Sequence, residues 1–360
     1  MPLIIKRIIG IVASLLGLGI FISLAALAGF AYYNSPPVLL PNAGAEYDGV
    51  TLEYDGSLQT AALFDVRRGE SAQSVGIRLA ESGLIRSRYL WQLLCRYDKE
   101  PIKSGAYRIE LPASQLAIHR LLISGRQMLL RITVPEGLTI SKTARLFEEA
   151  GVCSADDFIA AASDPAVAES CQIPGASMEG YLFPDTYLFP VDYPAERVVR
   201  HMADNFFSRV GSIDEKIPGM TAEELNRMVI LASIVEREYR INEEAPLMAG
   251  VFFNRLDIGM ALQSCATVEY IITEIQGRPH PEFLTMRDTE IRDPYNTYIR
   301  PGLPPGPIAS PGAVAIKAVL FPEKSGFLYF RLVDQNSGKH YFSNTFDEHI
   351  RAGRLYVKGR

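Results

Sequence analysis

The stretch MVILASIVEREYR, Met228 to Arg240, places two carboxylates, Glu236 and Glu238, at the end of an otherwise apolar run. A carboxyl held away from water keeps its proton near neutrality, so it can act as a general acid and then take a proton back as a base. The helical period decides which of the two is so placed. Thr221 is followed three residues later by Glu224, a capping-box start, and the spacing predicts a helix from Ala222 to Arg240. At about 100° per residue, Met228, Leu231, Ile234, Val235 and Glu238 share one apolar stripe, and Glu236 lies roughly 140° from Leu231. Glu236 is therefore expected to form a solvated i,i+4 pair with Arg240. Glu238 is the candidate acid, its pKa raised by desolvation. The plainer reading is a helix-end glutamate that reaches water and does nothing, and periodicity alone leaves both open.

The elements that must position such a residue follow from the rest of the chain. Its 360 residues have room for two or three domains, and a net charge of -5 with no long Lys/Arg block gives no reason to expect a nucleic-acid partner. After a short basic N-terminus, residues 1–7, positions Ile8 to Ala31 carry no charge. This predicts a single membrane-spanning helix whose basic flank stays in the cytoplasm, with the body outside. Ala26-Leu27-Ala28 also fits a signal-peptide cleavage site. Residues 32–60, with Asn34-Ser35-Pro36-Pro37, read as a linker that lifts the body from the membrane. Residues 61–134 alternate strand and helix patterns as a small α+β module, and 135–360 form a larger mixed α+β region. The overall fold class is α+β. Cys95, Cys153, Cys171 and Cys265 have no metal-ligand spacing, and no metal or other cofactor is expected. Whether Cys153 and Cys171 bridge is left open by the sequence.

Several further stretches are too polar and aromatic for filler: MEGYLFPDTY from Met178, VFFNRL from Val251, GMALQSCATVEY from Gly259, and Tyr295-Asn296-Thr297-Tyr298 leading into GLPPGPIASPG. Ring faces with neutral donors and acceptors suit sugar hydroxyls and N-acetyl groups. In this order, with the apolar N-terminus and the closing FLYF and HYFSNT, the chain resembles the YceG-like endolytic murein transglycosylases over nearly its whole length. Asp65 to Ser71 and the stretch after it resemble a LysM-type glycan-binding module.

The resemblance implies a single-pass inner-membrane lyase with its catalytic domain outside the cytoplasm. It would cut the MurNAc-GlcNAc β-1,4 bond within glycan strands, leave 1,6-anhydro ends, terminate strand elongation and work beside peptidoglycan synthases. It makes Glu238, the second glutamate of the ASIVEKE-type motif, the catalytic residue. Gln263, Tyr295, Asn296, Thr297 and Tyr298 are expected to hold the saccharides. Two departures stand out. Cys265-Ala266 replaces an Asp-Pro common in relatives, which puts an essential second carboxylate there in doubt, and Tyr239 stands where Thr is common. Two rival readings remain: a lysozyme-like hydrolase pairing Glu238 with Glu179 or Asp185, and a non-enzymatic glycan-binding scaffold.

Overall fold

The computed structural model describes residues 3–37, 50–55, 58–214 and 217–356. The chain divides into two compact units, Met1–Leu129 and Leu130–Arg360.

The first unit opens with α1 (Leu3–Asn34). Its stretch Ile9–Asn34 contains an 18-residue window with a mean hydropathy of 2.5, none of which is buried by protein. It is long and apolar enough to cross a bilayer, as a signal sequence near an N-terminus also is. The chain leaving α1 is tied down. Leu116 N–H donates to Asn34 Oδ1 at 2.8 Å, and Arg86 donates to the carbonyls of Ser35 and Pro36 at 3.2 and 2.9 Å. The expected linker 32–60 is thus corrected at both ends. Its start is docked, and its end is a strand, β1 (Val50–Asp55), while residues 38–49 lie outside the described residues. The alternation in Val50-Thr51-Leu52 explains β1, since Val50 faces Phe64 and Leu52 faces Ala62 across the ladder.

β1, β2 (Leu58–Val66) and β3 (Gly105–Glu110) form an antiparallel sheet in that order. Between β2 and β3 run α2 (Ala72–Glu81) and α3 (Arg88–Asp98), and α4 (Gln115–Ser124) follows. Ser71, Ser87 and Ser114 cap these helices, each hydroxyl accepting the backbone N–H three residues on. Phe64, Leu79, Trp91, Tyr107 and Ile118 fill the core beneath the sheet.

The second unit begins with β4 (Leu129–Thr133), which pairs with β5 (Thr186–Pro190). The expected boundary at 134 therefore falls too late. Ile132 and Val134 bury into the second core, and Val134 N–H donates to Asp185 O at 2.9 Å. The helices α5 (Ile140–Glu149), α6 (Ala155–Ala162), α7 (Pro165–Ser170) and α8 (Ala195–Gly211) precede α9 (Ala222–Glu238), the central element. Then come α10 (Ala245–Asp257), α11 (Cys265–Tyr270) prolonged by a π-helical turn over Ile271–Ile275, and α12 (Ala313–Leu320). A hairpin of β6 (Tyr329–Leu332) and β7 (His340–Ser343) and a last helix, α13 (Phe346–Tyr356), close the unit.

The start of α9 is the expected capping box. Glu224 N–H donates to Thr221 Oγ1 at 3.2 Å and Thr221 N–H to Glu224 Oε2 at 2.8 Å. Every residue from Met228 to Val235 is buried, because α10, α11 and α12 pack round the helix. A helix apolar on all sides is a core helix, not a surface one. Its one buried hydroxyl, Ser233, donates to Ile230 O at 2.7 Å and accepts from Ile308 N–H at 3.0 Å, fixing the GLPPGPIASPG loop against the helix.

Gly180 makes a similar close approach. With φ +85, it lies where a Cβ would come 2.5 Å from Pro307 Cβ and 2.9 Å from Val229 Cγ1. Gly180→Ala should therefore destabilise the second unit by about 2–4 kcal/mol, overpacking added to a left-handed backbone. Calorimetry should show a Tm lower by roughly 5–10 °C; an unchanged Tm would mean that the loop yields freely.

Candidate active site

The last turn of α9 carries Glu238 into a cleft of about 450 Å³. Its walls are Arg255 of α10, the segment Leu262 to Cys265, Tyr298, the β6–β7 hairpin and α13. Among the described residues lining it, Glu238 is the one carboxylate. The side chain is half-buried, and Ser264 Oγ donates to Oε1 at 2.5 Å. Burial pushes the Glu238 pKa up; the Ser264 bond opposes this, the neighbouring Glu269 adds to it, and Arg237 and Arg255 also oppose it.

Ser264 is itself fixed by the YNTY loop. Its N–H donates to Thr297 Oγ1 at 3.1 Å, and Thr267 Oγ1 donates to Ser264 O at 2.8 Å while lying 2.9 Å from Thr297 Oγ1. Gln263, exposed in the cleft with φ +50, donates its N–H to Thr297 O at 3.0 Å. Of the five residues expected to hold saccharide, Gln263 and Tyr298 line the cleft. The other three do not. Asn296 is fully buried, its amide nitrogen donating to Thr289 O and Ile291 O at 3.0 and 2.8 Å and its oxygen accepting from Tyr298 N–H at 2.9 Å. Thr297 is buried in the hydroxyl cluster, and Tyr295 packs on Tyr270 with ring centroids 5.1 Å apart. An irregular loop leaves backbone groups unpaired, and short polar side chains satisfy them locally, so these residues shape the cleft from behind.

The expected solvated pair of Glu236 with Arg240 does not form. Glu236 Oε2 instead accepts from Gly312 N–H at 2.9 Å, and the Tyr239 hydroxyl donates to both carboxyl oxygens at 3.3 and 3.4 Å. Burial pushes its pKa up to about 7. The one-sided wheel fails because the face opposite Glu238 meets the GLPPGPIASPG loop, at Gly312, instead of water. α9 also ends at Glu238, two residues before the expected Arg240, with Tyr239 already extended.

Neither rival partner faces the cleft. Glu179 is buried at the start of α5, where Ile140 N–H and the Tyr270 hydroxyl donate to Oε2 at 3.3 and 3.5 Å, and burial pushes its pKa up to about 8. Asp185 takes Arg209 Nη2 at 2.6 Å and Asn205 Nδ2 at 3.2 Å. Glu269 pairs with Arg237 at 3.2 Å and His280 at 3.4 Å. Cys265 Sγ lies 3.0 Å from the Tyr298 hydroxyl, and burial raises the thiol's pKa. All four cysteines are free thiols, Cys153 and Cys171 included.

Sequence reasoning missed Ser264, although it lies inside the LQS segment, because only its fold partner Thr297 brings it to Glu238. It also missed Arg255. That guanidinium is buried, donating to Leu328 O and Leu262 O at 2.6 and 2.5 Å and lying 5.3 Å over the Tyr329 ring. The signal was an arginine within an otherwise apolar helical run, VFFNRL.

A desolvated carboxyl opposite an open polar and aromatic wall is a site for acid-base chemistry on a polar substrate. The chain belongs to the YceG-like family, whose model matches residues 64–354. It is similar to an endolytic murein transglycosylase of Streptococcus pneumoniae, 27% identical over 86% of this chain and 61% of that protein. It thus spans about three-fifths of the pneumococcal relative's length. A Bacillus subtilis protein of the same name is 27% identical over 84% of this chain and 86% of its own. The crystal structure of a YceG-like protein from Listeria monocytogenes superposes with a TM-score of 0.55 at 27% identity, covering 81% of this chain and 98% of that one.

Proposed function

We propose that this chain is a lyase, an endolytic peptidoglycan transglycosylase that cuts the MurNAc-GlcNAc β-1,4 bond inside glycan strands and leaves 1,6-anhydro-MurNAc ends. The observation that carries the reading is Glu238 as the one described carboxylate lining the cleft. Hydrolysis by the common route needs two carboxylates flanking the bond. An intramolecular route needs one. Protonated Glu238 gives its proton to the glycosidic oxygen as that bond to C1 breaks; the resulting carboxylate then takes the proton of the muramyl C6 hydroxyl as its oxygen closes on C1. The nucleophile is already in place on the substrate, which supplies the proximity an activated water would otherwise need. Ser264 orients the carboxyl through Oε1, and Gln263 and Tyr298 contact the sugars. The names of the relatives support this reading.

In the same proposal α1 anchors the chain in the inner membrane with the cleft outside the cytoplasm, and the first unit is a LysM-like accessory that holds strands. Strands cut during synthesis stop growing, which gives the chain peptidoglycan synthases as working partners. Mass spectrometry of products from purified sacculi tests the chemistry: anhydro ends, one water lighter than reducing ends, are expected. Reducing ends would make it a hydrolase, and binding without soluble product would make it a scaffold. Ser264→Ala removes the bond that lowers the Glu238 pKa, so the alkaline limb of the rate profile should move to higher pH while the fold persists. A limb that stays in place would separate Ser264 from the acid.

A further inference from the structure

The cleft wall facing Glu238 is more basic than a glycan backbone requires. Arg237, Arg240, Arg255 and Arg331 all line it, against the single carboxylate of Glu238. Arg237 is matched by Glu269. Arg240 and Arg331 are exposed and have no carboxylate or hydrogen-bond partner among the described residues. Arg255 spends Nε and Nη1 on carbonyls, which leaves Nη2 without a hydrogen-bond partner among the described residues. The nearby carboxylate of Glu244 is taken by His340, whose Nδ1 lies 2.7 Å from Oε2.

Two glycines make room for the two unmatched cations. A Cβ on Gly338, in the β6–β7 turn, would come 2.8 Å from Arg240 Cβ. One on Gly353, in α13, would come 2.7 Å from Arg331 Nη1. Both arginines are therefore seated against backbone. His349 of α13, a cleft residue stacked beside Tyr329 and Phe346, feels the convergence: burial, then Arg331 and Arg255, lower its pKa, so near neutrality it adds a neutral ring to this wall.

Resting on the transglycosylase reading, we propose that Arg240, Arg331 and the free Nη2 of Arg255 form a subsite for carboxylates of the stem peptide carried by the muramyl residue being cut. In a peptide-bearing strand the lactyl carboxyl of each MurNAc is an amide, so the sugars themselves are neutral and the carboxylates lie on the stem peptide. The stem leaves the muramyl ring at C3, one bond from C2 and two from the C1 where Glu238 acts, so it must lie beside the acid inside the same cleft. A pyrophosphate at a strand's reducing end is the other anion available. An internal cut places it at least one sugar further away, beyond this wall. Guanidinium forks pair with carboxylates through charge-assisted bonds, and exposed cations among them weaken with salt.

The test uses full-length protein carrying Glu238→Gln, which binds without turnover, and uncross-linked strands of matched length. One set bears stem peptides, one has been stripped by an amidase and its freed lactyl carboxylates capped as methyl amides, and a third is stripped and capped but keeps a reducing-end pyrophosphate. Peptide-bearing strands should bind about tenfold tighter than stripped ones. Arg240→Ala with Arg331→Ala should remove most of that difference, as should raised salt, with a smaller loss on stripped strands. Equal affinity for bare and peptide-bearing strands overturns the subsite, as does an equal loss on both in the double variant. Tight binding that follows the pyrophosphate overturns it in favour of the strand end. If charge-dependent peptide binding is found but the wild-type chain releases no anhydro product, the subsite stands and the reaction reading falls.

Discussion

Glu238→Gln is expected to lower strand cleavage by at least about 10²–10⁴-fold, the usual loss when a general acid-base group is removed. The amide keeps nearly the same volume and an oxygen that accepts from Ser264, so the fold and strand binding should survive. What it lacks is a proton to give to the glycosidic oxygen and a basic site to take one back from the C6 hydroxyl. The pH profile adds a second readout. Because the acid must be protonated, the wild-type rate should fall as pH rises through the raised pKa of Glu238, and any residual activity of the variant should lack that limb. Glu236 needs to be tested beside it, since its own pKa of about 7 places a second titration near neutrality. In Glu236→Gln the amide oxygen can still accept from Gly312 N–H, so a loss smaller than about tenfold and an intact alkaline limb are expected. If Glu236→Gln removes the limb and Glu238→Gln keeps it, the acid is Glu236.

The contrast between these glutamates also shows how far the sequence carries. Capping residues and apolar spacing are local signals, and they located the start of α9 at Ala222 and its end within two residues. The same spacing put Glu238 on a buried stripe. It put Glu236 in water, because a helical wheel knows the helix and not what surrounds it; the loop at Gly312 arrives from 76 residues away. Asn296 and Thr297 failed for a related reason. Their polarity looked like a surface for sugars, yet an irregular loop inside a folded unit uses the same polarity to satisfy its own backbone. Of the cleft walls, β6 and β7 were legible through the FLYF and HYFSNT stretches but not as a wall, and α13 was not anticipated, since nothing local says which element faces Glu238. The boundary at 134 slipped because the alternation Leu130, Ile132, Val134 identifies a strand without naming its partner, β5.

Glu179 offers the last test, on stability in place of rate. Its folded pKa of about 8 lies far above that of a solvated glutamate, 4.5, because burial penalises the charged form and Glu274 nearby adds to the penalty. The sign follows from proton counting. Between about pH 5 and pH 8 the native state keeps a proton that the unfolded chain has released, so raising pH across this window favours unfolding. Stability from this carboxyl is therefore complete at the acid end and gone above pH 8. Glu236, with its pKa near 7, acts in the same direction over a narrower range. The second unit should lose on the order of 10 °C in Tm between pH 5 and pH 8. Glu179→Gln cannot ionise, and its amide oxygen can still accept from Ile140 N–H and the Tyr270 hydroxyl. It should flatten most of that slope and melt above the wild type at pH 8 while matching it within a few degrees at pH 5. Below about pH 4 the order of effects reverses, because carboxylates such as Asp185, held low by the Thr186 N–H, Asn205 and Arg209, must then be protonated at a cost. A wild-type Tm that rises from pH 5 to pH 8, or a Glu179→Gln variant that is less stable than wild type at pH 8, would show that Glu179 is ionised in the fold and held by a partner that its buried, unpaired Oε1 does not reveal.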